Sequence, residues 1–311
     1  MSTSTATAGG RMSERGDASA ATGAVSTSER GDFRVMGIVN VTPDSFSDGG
    51  LYLDPAAAIA QGLALESDGA AILDIGGEST RPGADPVPTR VELDRVLPVI
   101  EGLVDAGARA QISIDTSKAA VAAAALTAGA TMVNDVTALR GDPEMAAVVA
   151  TGRADCCLMH MLGEPRTMQR DPSYVDVTDE VKRFLVDRLS LAVTAGVAEE
   201  RILLDPGIGF GKTAAHNLEL LRRLAELVAI GRPVLIGTSR KSFLGHLTGR
   251  SVDQRSAGTI ATNVLAYERG ARVFRVHDVA PVRDALTVAA ATVRAGWHTT
   301  TPTSSRISTR S

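Results

Sequence analysis

Asp115, Asn134, Asp205 and Lys241 each stand at or near the end of a short apolar run in the middle of the chain. Buried carboxylates accept hydrogen bonds from amino and ring N–H groups, and a lysine donates to a carbonyl. Brought together, these side chains can hold a flat heterocycle with donors on one edge and a carbonyl on another. The same set can bind a sugar, or a metal in place of a ring, so the residue types alone leave the ligand class open. A second group comprises Arg81, Arg275 and His277, with Asn40 and Asp48 close by in strand order. Two guanidiniums and an imidazole suit a phosphate or diphosphate. The oxygen of Asn40 suits Mg²⁺, which keeps several waters and shares phosphate oxygens with its ligand. Arg275 could end its strand as a plain surface residue. Its two-residue spacing from His277 instead puts both side chains on one face of an extended chain, which favours joint use.

Four loop segments bear on the chemistry. The segment 238–245, TSRKSFLG, places Ser242 where a helix can begin, so a carboxylate-bearing second substrate can dock on the first turn. A plain helix cap is the simpler reading of that serine. The segments 40–53 (NVTPDSFSDGGLYL) and 76–90 (GGESTRPGADPVPTR) exceed the usual length of a strand-to-helix connection and read as lids that bring Phe46 and Arg81 onto a ligand. Gly207–Lys212, GIGFGK, lacks the phosphate-loop spacing and reads as a tight turn presenting Phe210. The histidines, His160 included, lack zinc-ligand spacing.

These residues need elements to position them. Apolar runs at 33–39, 71–75, 110–114, 131–134, 155–159, 201–204, 233–236 and 272–276 predict strands. Stretches with helical spacing lie between them, at about 55–68, 89–106, 118–128, 143–151, 178–195, 214–229, 253–269 and 279–295. Eight such pairs predict an α/β chain folded as a (β/α)8 TIM barrel with long first and second βα loops. A doubly wound open sheet is the alternative, and the even run of units without a second pattern disfavours it. Polar residues gather at the C-terminal ends of the strands: Asn40, Asp74, Asp115, Asn134, Asp135, His160, Asp205, Ser239–Lys241, Arg275, His277 and Asp278. In a barrel those ends form one mouth, where chemistry sits. Met159 is expected inside the barrel.

Composition narrows the rest. The net charge of −4 makes no electrostatic case for nucleic acid or a membrane surface. Hydrophobic residues are 44% but aromatics only 3%, so Ala, Val, Leu and Ile must fill the core. No run is long enough to span a bilayer. Cys156 and Cys157 are adjacent, and neighbours in a strand face opposite sides, so a mutual disulfide is not expected; a cytoplasmic location fits. Residues 1–32 and 297–311 are rich in small polar residues and read as disordered extensions around a barrel over 33–296. Four acidic residues, Glu14, Asp17, Glu29 and Asp32, argue against a cleavable targeting role for the first of these.

The same stretches carry a family resemblance. Met36–Gly50, MGIVNVTPDSFSDGG, resembles the first signature of the bacterial dihydropteroate synthases, and Asp74–Gly83, DIGGESTRPG, resembles the second. Further matches follow at Ser113–Thr116 (SIDT), Val133–Val136 (VNDV), Leu158–Glu164 (LMHMLGE), Arg166–Gln169 (RTMQ), Leu204–Thr213 (LDPGIGFGKT), Ser239–Lys241 (SRK) and Arg275–Val279 (RVHDV). They span essentially the whole barrel. The resemblance implies a Mg²⁺-dependent transferase of folate synthesis, a cytoplasmic homodimer and sulfonamide target. It would join (7,8-dihydropterin-6-yl)methyl diphosphate to 4-aminobenzoate, with departure of the diphosphate first. It implies that Asp115, Asn134, Met159, Asp205 and Lys241 bind the pterin, and that Thr80, Arg81, Arg275 and His277 hold the diphosphate. Phe46, Pro82, Phe210, Lys241 and Ser242 would line the 4-aminobenzoate pocket, Asn40 would ligate Mg²⁺, and Asp44 and Asp48 would organise the first loop. Asp115, Asp205, Lys241, Arg275 and His277 would carry the chemistry. Leu162 departs from the family's usual Gln at a loop position where little effect is expected. A methyltetrahydrofolate-dependent methyltransferase would share the Asp/Asn set without needing the Arg/His pair or both long loops. A catalytically silent pterin-binding paralogue should have lost parts of the first loop or of SRK, and all are present.

Overall fold

Alternation along β1, Arg34–Asn40, puts Met36 among residues of the barrel interior and Val35 and Val39 in the layer against the helices. The computed structural model describes Met1 and residues 32–42, 54–81 and 83–293. Seven further strands follow: β2 Ile72–Gly76, β3 Gln111–Asp115, β4 Met132–Asp135, β5 Asp155–Met159, β6 Ile202–Asp205, β7 Leu235–Ile236 and β8 Val273–Val276. All pairings are parallel, in the order β6-β5-β4-β3-β2-β1-β8-β7. The ring closes between β6 and the residues before β7, where Leu204 pairs with Val234 and donates its N–H to the Pro233 carbonyl at 3.0 Å. The expected barrel is therefore the observed one. Its seam is thin because β7 holds two residues rather than the four expected.

Helices cross between the strands: α1 Pro55–Ser67, α2 Thr89–Asp105, α3 Ala119–Ala128, α4 Met145–Gly152, α5 Val177–Thr194, α6 Ala214–Arg222, α7 Leu224–Val228, α8 Ser242–Thr248, α9 Ser256–Glu268 and α10 Val279–Val293. Their starts follow capping chemistry. Asp54 accepts from the Ala56 N–H before Pro55, Asp176 accepts from Asp179, and Thr213 and His216 cap each other's backbone. The helix expected over 214–229 breaks at Arg223, whose backbone leaves helical geometry and whose guanidinium gathers Asp176, Asp179 and Glu226. The short α8 was not among the expected helices, although its start at Ser242 was. Among the described residues no helix is long and apolar enough to cross a membrane. The extensions expected at 1–32 and 297–311 lie outside the described residues, apart from Met1 and Asp32. Asp32 accepts a hydrogen bond from the Tyr267 hydroxyl.

The interior is layered, as barrel cores are. Met36, Ile72, Met132, Cys157, Leu203, Leu235 and Val273 form a dry plug across its middle. Below it, at the N-terminal pole, Gln111 accepts from Arg34 and donates to Asp155, which Arg201 also meets. Above it, one step further along the strands, come Asp74, Asp115, Asn134, Asp205 and Arg275. Cys156 joins the helix-facing core while Cys157 joins the plug, and both thiols are free. Opposite facing of neighbours in a strand thus accounts for the absence of a bridge between them.

Candidate active site

The carboxylates reach the mouth because the alternation that buries Ile72, Met132, Cys157 and Leu203 carries Asp74, Asn134, Met159 and Asp205 to the next layer on the same face. A cavity of about 540 Å³ opens there. Asn40, Thr80, Arg81, Asp115, Asn134, Met159, Asp205, Phe210, Lys241, Ser242, Arg275 and His277 all line it. The structure thus brings together every expected site residue that it describes. Phe46, Pro82, Asp44 and Asp48 lie outside the described residues. A larger groove, about 1130 Å³, runs between α3 and α4 at the opposite pole. It lies far from this mouth, and none of the expected site residues lines it.

Behind the cavity lining lies a residue to which sequence reasoning gave no individual role. Asp74 is fully buried and accepts three hydrogen bonds: from Ser113 Oγ at 2.7 Å, Asn134 Nδ2 at 3.0 Å and Arg275 Nε at 2.6 Å. Its signal was present in ILDIG, where a charge interrupts a strand buried on both faces. By engaging the Asn134 amino group, Asp74 leaves the amide oxygen of Asn134 to accept from a ligand. Arg275 also donates Nη2 to Asp115 Oδ2 at 2.7 Å. It is therefore no surface strand end: it is the counter-ion of two carboxylates, with its remaining donors left for an anion.

Burial decides the charge states. It raises the Asp115 carboxyl, against the pull of Arg275 and with added repulsion from Asp74. It pushes Asp205 up to about 6, against a hydrogen bond of 2.7 Å from the Gly207 N–H and the charge of Lys241. Lys241 is lowered to about 8 by burial and by Arg275, and its Nζ lies 4.2 Å from the centroid of the Phe210 ring. Burial works against the Arg275 charge too, but Asp74 and Asp115 outweigh it and hold the guanidinium above its usual range. His277 is lowered to about 4, by burial first and Arg275 next, so the ring is neutral near pH 7. Ser239 Oγ accepts the His277 backbone N–H at 3.2 Å and lies 2.9 Å from ring Nδ1. With the serine hydroxyl assigned as the donor to Nδ1, the proton of the neutral ring is on Nε2.

Two loops build the side of the cavity where the 4-aminobenzoate pocket is expected. Glycines 207, 209 and 211 all have positive φ, and the Phe210 N–H closes a turn onto the Gly207 carbonyl at 3.0 Å, as the glycine spacing led one to expect. Phe210 packs on Val136, Met159, Met161 and Met168. Leu162, the departure from the family pattern, is 37% exposed on the adjoining loop, away from the cavity lining. On the other side Arg240, at φ 58°, sits between Ser239 and Lys241 and is held by Asp278 at 2.7 Å. Asn40, at the end of β1, is a hard oxygen donor beside the anion-binding groups. Among the described residues no group of three His, Cys, Asp or Glu side chains could cage a metal. An ion here would share its sphere with diphosphate and water, which is how Mg²⁺ binds.

An eight-stranded barrel whose mouth combines buried carboxylates, an amide and an ammonium with an Arg/His pair is the constitution of a barrel enzyme that takes a polar ligand with both donor and anionic groups. Residues 36–277 match the family described as pterin binding enzyme. The dihydropteroate synthase of Mycobacterium leprae is 47% identical over 271 residues, covering 85% of this chain and 94% of its own length. A Xanthomonas albilineans dihydropteroate synthase solved with 4-aminobenzoic acid is 53% identical, with a TM-score of 0.80 over 85% of this chain and 94% of that one. A structure from the same organism in complex with 7,8-dihydropteroate is 49% identical, with a TM-score of 0.76 over 85% and 95%. The chain belongs to the pterin-binding enzyme family, among its dihydropteroate synthases.

Proposed function

We propose that this site condenses (7,8-dihydropterin-6-yl)methyl diphosphate with 4-aminobenzoate, releasing 7,8-dihydropteroate and diphosphate in folate synthesis. The carrying observation is the convergence of Asp115, Asn134, Asp205 and Lys241 with Arg275 and His277 in one cavity. Asp205 and the Asn134 oxygen accept from the amino and N–H edge of the pterin, and Lys241 donates to its carbonyl. Arg81, Arg275 and the His277 Nε2–H hold the diphosphate, with Thr80 beside them. The bond between the methylene carbon and the diphosphate oxygen breaks first, and its electron pair leaves on the diphosphate. The cation left on the ring is stabilised by Asp115 and Asp205. The aromatic amine of 4-aminobenzoate, held against Phe210 and near Ser242, then forms the C–N bond and releases a proton. A weak nucleophile favours this order. Mg²⁺ held by Asn40 would supply Lewis-acid charge for the departing diphosphate. We place the enzyme in the cytoplasm, where the free Cys156 and Cys157 thiols are at home, and infer that it works as a homodimer.

The direct test supplies the pterin diphosphate and Mg²⁺ and follows diphosphate release with and without 4-aminobenzoate. The expected result is Mg²⁺-dependent release, with dihydropteroate formed when the amine is present. Slow release without the amine supports departure before attack. A protein that binds pterin but releases no diphosphate under either condition is not this enzyme.

The charge states also set a pH profile. Asp205 and Asp115 must be ionised, so kcat/KM for the pterin diphosphate rises as pH climbs through about 6 to 7. Lys241 must be protonated, so it falls above about 8. Lys241→Arg, which keeps its charge at high pH, should remove the alkaline limb. A flat wild-type profile between about pH 5.5 and 9 would contradict these assignments.

A further inference from the structure

Lys212 is a buried cation that the reaction above leaves unused. It is 3% exposed. Its Nζ donates to the Phe210 carbonyl at 2.9 Å, meets His160 Nδ1 at 2.9 Å and lies 3.4 Å from the His160 carbonyl. Burial lowers His160 to about 2, so its ring is neutral; facing the Lys212 ammonium, which only donates, Nδ1 accepts, and the ring proton is on Nε2. All three hydrogen-bond partners of the ammonium are therefore uncharged, and Asp205 attracts it only through space. Burial pushes Lys212 down to about 7. What those bonds accomplish is mechanical: they tie the end of β5 to the turn at 207–213 directly behind Phe210.

Three other side chains tie the same turn. Gln169 Nε2 donates to the Gly209 carbonyl at 2.6 Å, Tyr174 Oη donates to the Gly211 carbonyl at 2.8 Å, and the Gly209 N–H donates to Asn217 Oδ1 at 2.8 Å. The turn also lies against the chain after β5. A Cβ on Gly207 would strike the His160 carbonyl, and one on Gly211 would come within 2.5 Å of the Leu162 carbonyl. Lys212 and Gln169 hold the backbone from outside, while the Phe210 ring faces Lys241 and lines the cavity. Neither Lys212 nor Gln169 lines that cavity.

We infer that Lys212 and Gln169 are positioning residues that fix the Phe210 wall and thereby set the affinity for the aryl amine, without touching either substrate. The inference rests on Phe210 being a wall of the 4-aminobenzoate pocket. A displaced wall weakens a ligand packed on it while leaving the pterin contacts on β3 and β4 intact; Asp205 on β6 meets the turn at its first residue, through the Gly207 N–H.

The test measures steady-state kinetics with Mg²⁺, varying 4-aminobenzoate at saturating pterin diphosphate and then the reverse, for Phe210→Ala, Lys212→Met and Gln169→Ala. Lys212→Met should raise the KM for 4-aminobenzoate about tenfold, the scale of losing a charge-assisted hydrogen bond, and Gln169→Ala about threefold, the scale of a neutral one. For Gln169→Ala, kcat and the KM for the pterin diphosphate should stay within about twofold of wild type; Lys212→Met also withdraws a charge that favours ionised Asp205, so it is compared at about pH 8, where Asp205 stays ionised and the same limits apply. Gln169 is exposed, so its variant decides the matter even if Lys212→Met fails to fold. A merely structural role would lower the active fraction, and so kcat, without moving KM. If Phe210→Ala raises the KM for 4-aminobenzoate while Gln169→Ala and any folded Lys212→Met leave it unchanged, the inference is overturned. If Phe210→Ala also leaves it unchanged, the pocket assignment beneath the inference falls as well.

Discussion

Asp115→Asn should lower kcat by about 10²–10³-fold and leave the affinity for diphosphate within about threefold of wild type. The substitution keeps the shape of a side chain at the end of β3 and removes its charge. Arg275 retains Asp74 as a counter-ion at 2.6 Å, so no buried cation is stranded and the anion-binding donors stay in place. On the proposed mechanism, what disappears is a carboxylate facing the ring at the moment it becomes cationic. Such a charge is worth more in the transition state than in the ground state because it is preorganised and partly shielded from water. Product inhibition by diphosphate reads binding, and single-turnover formation of dihydropteroate reads chemistry. Equal losses in the two would assign Asp115 to binding rather than to the chemical step.

Arg275→Met is expected to be worse on two counts: activity near background and a loss of about 3–5 kcal/mol in unfolding free energy, the usual cost of removing one partner of a buried ion pair. The stability loss separates two pictures of this residue. A guanidinium serving only the diphosphate would be missed by the substrate and not by the fold. One that neutralises Asp74 and Asp115 is missed by both. The pH dependence has a definite sign. Without the cation, the Asp115 carboxyl rises further above its unfolded value near 3.8, and the folded state favours its protonated form. That preference contributes stability at low pH and is lost as pH rises through the folded value. The deficit against wild type is therefore largest at alkaline pH, narrows as pH falls towards about 7, and is level below that, where both folded forms hold the proton. Urea unfolding at about pH 9, 8 and 7 measures it, and a deficit that stays constant or widens as pH falls over that range would refute the pairing.

The sequence by itself determined a good deal, because strand and helix periodicities are local. Apolar runs at the spacing of a two-sided buried sheet predicted the eight strands to within a residue or two. Placing Asn40, Asp115, Asp205 and His277 at strand ends predicted one shared mouth, since parallel barrel strands all finish on the same side. The neighbouring cysteines could be assigned to opposite faces from the two-residue repeat alone. The motifs from Met36 to Val279 carried the family resemblance, and the family match covers residues 36–277. Boundaries failed where long-range contacts overrode local preference: at Arg223, drawn to Asp176 across 47 positions, and at β7, shortened where the ring closes.

Only the tertiary structure decided which partner each charged group takes. Arg275 contacts Asp74 and Asp115 from 201 and 160 residues away. It does so because β8 and β2 flank β1 in register, with Met36 level with Arg275 and Ile38 level with Asp74. The same closure orients Asn134, brings Ser239 to the His277 ring and buries Lys212 behind Phe210. A guanidinium's choice among several carboxylates depends on register and ring closure, which are properties of the whole barrel and leave no trace in the spacing of neighbouring residues.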